Sequence, residues 1–92
     1  MKSLALVEQI LFTLIDEYLA ERTDFGMFFR RFQEVYLDES PPVIRANRYA
    51  LFAEVNQRGE DVLALVDEGT AIEAEIRTRS FRQWLAEARR SR

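Results

Sequence analysis

The chain has no cysteine and no histidine among its 92 residues. Disulfides and thiolate metal sites are therefore excluded, and the commonest general base and metal ligand are missing together. The Glu-x-x-His pairs of a di-iron bundle cannot be built. Catalysis would have to run on carboxylates, tyrosine, Lys2 or arginine alone, so the chain reads as a binding protein with no metal and no cofactor, not as an enzyme. Turn residues are scarce too: three glycines (Gly26, Gly59, Gly69) and two adjacent prolines (Pro41, Pro42). A β-rich fold of this length needs many more. Long hydrophobic runs are also absent. The apolar stretch from Leu4 to Ile15 is interrupted by Glu8 and Gln9 and followed by Asp16-Glu17. It shows no small-x-small cleavage site and falls short of the roughly 20 apolar residues of a membrane span. No membrane association is expected, and the expected location is the cytoplasm. Internal repeats and low-complexity stretches are missing as well.

What is present is helical. Charged residues reach 32%, above the roughly 25% of an average domain, as suits solvated helices. The length allows a single domain, residues 1–92. Helix one is expected from Ser3, a plausible N-cap, to about Glu21. Leu4, Val7, Leu11, Leu14, Ile15 and Tyr18 form one stripe, which Ile10 widens on one side and Phe12 and Leu19 on the other. An apolar arc of roughly 200° exceeds what a surface helix needs; either this helix is central or part of it faces a second protein, a homodimer through helix one included. Helix two is expected from a Thr23 or Asp24 cap to just before Ser40, with Phe25, Phe28, Phe29, Phe32, Val35 and Tyr36 at core spacing. Pro42 suits the first turn of helix three, with Ile44, Leu51, Phe52 and Val55 apolar, Arg48 inside the arc, and Gly59 as C-terminal stop. Residues 60–68 then read as a connection with a short helical turn, closed by Gly69. Thr70-Ala71-Ile72-Glu73 matches a capping box that opens helix four. Ile72 and Ile76 share a face that Phe81, Trp84, Leu85 and Ala88 do not. That phase jump at Thr78-Arg79-Ser80, with a second box-like start at Ser80, leaves open a break there and a separately packed tail. The expected fold is all-α, an antiparallel four-helix bundle.

Charge is distributed unevenly. Residues 1–75 hold fifteen acidic and seven basic side chains, and residues 76–92 hold six arginines and one glutamate. The arginines of the tail, residues 78–92 with Arg77 just before it, could meet nucleic-acid phosphates beside Trp84. They also suit the dipole at a helix C-terminus or acids on neighbouring helices, and the acidic bulk disfavours nucleic acid as a partner. Among the acids, Glu54, Glu60, Asp61, Asp67 and Glu68 stand out because they flank the expected connection, where a rigid scaffold usually displays its binding groups. Acids there suit a basic protein surface such as a nuclease active site.

Several segments carry a resemblance: Ile15-Asp16-Glu17-Tyr18-Leu19-Ala20-Glu21-Arg22-Thr23-Asp24-Phe25 followed by Phe28-Phe29-Arg30-Arg31-Phe32; Leu51-Phe52-Ala53-Glu54-Val55 leading into Glu60-Asp61; and Val66-Asp67-Glu68 with Ile72-Glu73-Ala74-Glu75-Ile76-Arg77. With these the chain resembles the small helical immunity proteins of the colicin D type, over most of residues 4–77. The resemblance implies an inhibitor that covers the active site of a ribonuclease toxin, a tRNase by class, with acids standing in for RNA phosphates. By position, Glu60 and Asp61 are the leading candidates, with Glu54 behind them. Asn56, Gln57, Arg58 and Gly59 stand where a further acid would fit that pattern. The competing readings are a self-associating adaptor using helix one and nucleic-acid binding through the arginine-rich tail.

Overall fold

A computed structural model describes residues 3–39 and 50–91. The expected start of helix three at Pro42, with Ile44 and Arg48, lies outside the described residues. Helix α1 spans Leu4–Leu19, and the Ser3 hydroxyl accepts the Leu6 N–H as its cap. The chain then closes a Schellman turn, with Arg22 N bonded to Glu17 O and Glu21 N to Tyr18 O, both 3.0 Å. Glu21 holds the left-handed position, φ 61°, that glycine usually takes. Helix α2 spans Phe25–Gln33 from an Asp24 cap that accepts the Met27 N–H. It runs on into a wider π-helical segment, Glu34–Glu39, strapped by Arg31, which bonds to both Glu34 (2.8 Å) and Glu39 (3.0 Å). Helix α3 spans Ala50–Glu68, and α4 spans Ala71–Arg90 from a Thr70 cap that accepts the Glu73 N–H.

One expectation is corrected, and one alternative left open is decided. Gly59 does not end a helix, and residues 60–68 are not a connection: α3 is continuous to Glu68. Gly59 is buried where α3 crosses α2, and a Cβ there would overlap the Phe29 ring. The glycine serves a close helix–helix approach. The stop is Gly69, whose N–H bonds to Leu65 O at 2.8 Å. Nor does α4 break at Ser80. It is continuous from Ala71 to Arg90, and the phase jump means that Ile72 and Ile76 point away from the core which Phe81 and Leu85 enter.

The helices pack antiparallel. Arg89 meets Asp16 and Arg82 meets Glu21, so α4 runs against α1; Phe29 lies at Gly59 and Phe32 against Phe52, so α3 runs against α2. The two-residue link Gly69-Thr70 forces the same of α3 and α4. The core is aromatic: Tyr18 stacks on Phe28 at 4.7 Å, Phe25 stacks on Phe29 at 5.5 Å, and Phe81 meets the Phe25 ring edge-on at 5.5 Å. Most of the broad arc of α1 is used inside the bundle. Val7, Leu11, Ile15 and Tyr18 are fully buried, and Ile10, Phe12, Leu14 and Leu19 pack against them partly covered.

Burial stops abruptly along the last two helices. Val62 is the final buried residue of α3 and Phe81 the first of α4, and none of residues 63–80 is buried. The tip of the α3–α4 hairpin therefore projects past the ends of α1 and α2, which fits a molecule 39 Å long and 25 by 24 Å across.

Candidate functional site

The five acids singled out in the sequence all lie on α3, and all are exposed. Continuity of the helix through Gly59 decides their arrangement. With 3.6 residues per turn, Glu54, Asp61 and Glu68, seven apart, form one stripe with steps of about 10 Å, and Glu60 and Asp67 form a second beside it. The result is an acidic helix face, not an acidic loop. Arg58 is the one basic residue of α3. It is tied to Glu54 at 2.9 Å and its guanidinium lies 4.5 Å from the Trp84 ring centroid.

Each acid has a distinct setting. Glu60 accepts from Gln33 Nε2 at 3.3 Å and Asn56 Nδ2 at 3.5 Å, which fixes its carboxylate at the seam between α2 and α3. Asp61 stands at the edge of an open groove between α3 and α4 of about 290 Å³, lined by Arg58, Val62, Leu65, Arg77, Ser80 and Phe81. Asp67 and Glu68 occupy the last turn of α3, where the helix dipole disfavours acids, yet they also sit three and two residues before the Thr70 cap of α4, where the dipole favours them. The fold has little net stake in their charge.

The arginines of α4 are used differently. Arg89 grips Asp16 with both Nε (3.0 Å) and Nη2 (3.3 Å) while its guanidinium lies 4.3 Å from the Phe12 ring centroid. Arg82 bonds to Glu21 at 3.0 Å and covers the Tyr18 ring at 4.7 Å. Of the three uses open for the arginines, Arg82 and Arg89 show pairing with acids of a neighbouring helix. Residues 78–90 of the expected tail are the half of α4 that carries its buried residues Phe81 and Leu85.

No group of three His, Cys, Asp or Glu residues among the described residues is placed to hold a metal. Among the described residues the buried Tyr18 hydroxyl meets no well-formed hydrogen-bond partner, with the Arg82 side chain its nearest polar neighbour. Burial pushes its pKa up, and the neighbouring Arg82 opposes that only in part. A phenol held more firmly protonated is a poor base. No helix among the described residues is long and apolar enough to cross a membrane.

Sequence reasoning missed the outward pair Ile72 and Ile76, which are 70% and 55% exposed. The signal was there as the phase jump, but it suggested a broken helix and not an outward apolar face. Compared with protein-family models, with curated proteins and with solved structures, the chain finds no match.

Proposed function

We propose that this protein is an inhibitor that binds a basic, RNA-binding surface of a nuclease toxin through the acidic face of α3, acting in the cytoplasm as an immunity protein does. The observation that carries this reading is the set of five exposed carboxylates on one rigid helix, repeated at seven-residue spacing and countered on that helix by Arg58 alone. A fixed line of negative charge suits lysines and arginines arranged to hold a phosphate backbone. It needs no ordering of a loop on binding, which lowers the entropic cost of association.

The test is a calorimetric titration against a ribonuclease toxin domain that the wild-type chain binds, with thermal melts in parallel. Asp61→Lys and Glu68→Lys should each weaken binding by several kcal/mol, on the order of 100-fold or more, by setting like charges together at a desolvated contact. Stability should change by less than about 0.5 kcal/mol, because both side chains are exposed. Glu34→Lys, at the start of the π-helical segment after α2 and bonded to Arg31, is the control and should bind like wild type. Wild-type affinity in both α3 variants refutes the acidic-face mechanism.

A further inference from the structure

We infer that the outward face of α4 on the projecting hairpin is a self-association surface, across which two copies of this chain pair antiparallel about a two-fold axis beside Ile76. This goes beyond the inhibitor reading and does not depend on it.

Exposure comes first. Ile72 and Ile76 stand one helical turn apart, 70% and 55% exposed, on a segment where none of residues 63–80 is buried. Large aliphatic side chains at that exposure, adjacent on a rigid helix, form an uncovered apolar ridge. Charge then selects the occupant. Beside the ridge stand Glu75 and, one turn on, Arg79, whereas Arg77 lines the groove toward α3. A uniformly basic partner would meet Arg79, and a uniformly acidic one Glu75. An antiparallel copy of the same helix meets both correctly. Ile76 of one chain packs on Ile76 of the other with Ile72 at its edge, and Glu75 faces Arg79 across the axis. A two-fold interface must be self-complementary in this way. Within one chain Arg79 already bonds to Glu75 at 3.1 Å. Pairing therefore exchanges an internal ion pair for the same pair made between chains and leaves no charge stranded. The Arg79 stem would cover the edge of the ridge in the process.

The experiment is sedimentation equilibrium on the full chain from low micromolar to near-millimolar concentration, with circular dichroism to confirm folding. The wild type should move from the chain mass toward twice that mass as concentration rises. Ile76→Glu should remain at the chain mass throughout with an unchanged helical spectrum, since the position lies outside the core. Glu75→Arg should shift the equilibrium toward single chains, and adding Arg79→Glu should restore the dimer by re-forming the pair with its signs exchanged. The proposal is overturned if the wild type stays at the chain mass over the whole range. It is equally overturned if a dimer forms that Ile76→Glu leaves intact, the result expected of pairing through α1.

Discussion

Gly59→Ala separates two accounts of α3 by the sign of its effect. If Gly59 were an unremarkable residue within a helix, alanine would stabilise the protein by about 1 kcal/mol, the helix-propensity difference between the two. In the structure the added Cβ falls well inside van der Waals contact of three atoms of the Phe29 ring. That ring has nowhere to go: Phe29 is fully buried and stacks on Phe25 at 5.5 Å and near Phe32 at 6.4 Å. Inserting a methyl group into a packed core costs about 1–3 kcal/mol, and an overlap with an immobile ring belongs at the upper end. Offset by the propensity gain, the net loss is about 2 kcal/mol. At roughly 4–8 °C per kcal/mol for a domain of this size, the melting temperature should fall by about 8–16 °C. Urea unfolding followed by circular dichroism measures it, with Phe29→Leu combined with Gly59→Ala as the relief variant. The double variant should lose less than the two single losses added, because the smaller side chain makes room for the methyl group. An alanine variant as stable as wild type, or more so, would refute the close approach of α3 to α2 at this point.

The buried Tyr18 phenol has a raised pKa, so its contribution to stability is complete below the unfolded value near pH 10 and is lost as pH rises through the folded one. Tyr18→Phe removes a hydroxyl without a well-formed hydrogen bond among the described residues; it should change stability at pH 7 by about 1 kcal/mol at most and make the alkaline decline in urea midpoint shallower, whereas an equally steep decline would remove Tyr18 as its source. Truncation after Ala88 deletes the Arg89 contacts to Asp16 and Phe12 and should cost about 1–2 kcal/mol, the sum of a half-exposed ion pair and a cation–π contact. Arg89→Ala alone should reproduce that loss in a thermal melt while Arg90→Ala does not; a truncated chain that melts like wild type would mean the arginine clamp is inert.

Features written in neighbouring residues were legible in the sequence. The Ser3 and Thr70 caps, a helix-two cap at Thr23 or Asp24, the aromatic stripe of α2 and the all-helical bundle depend on spacing within a turn or two; the structure has them there, with Asp24 as the second cap. The five acids were legible as a cluster, but the surface they form was not, because it depends on whether the helix passes through Gly59. A glycine that ends a helix and a glycine that lets another helix approach are the same letter. What tells them apart is Phe29, thirty residues earlier in the chain. The tail arginines likewise had several plausible uses until Asp16 and Glu21 came within reach from α1.

The projecting hairpin follows from a mismatch of lengths. Helices α3 and α4 have 19 and 20 residues, whereas α1 has 16 and α2 has 9 before its π-helical extension. A helix pair that outlasts its packing partners must leave its surplus in solvent, and the register of the bundle decides which end. Phe29 at Gly59 and Tyr18 near Phe81 fix that register, with rings 6.2 Å apart in the second case. Beyond those contacts burial falls away: Leu63 still packs partly covered against the core, and none of residues 63–80 is buried. Solvent exposure alone would favour polar residues on every face of such a segment. Its acids meet that expectation, whereas Ile72 and Ile76 on α4, and Val66 on α3, depart from it. The two surfaces of the hairpin thus carry different chemistry for a physical reason: the acidic face of α3 suits a partner of opposite charge, and the ridge of α4 suits one that offers apolar surface and both signs of charge.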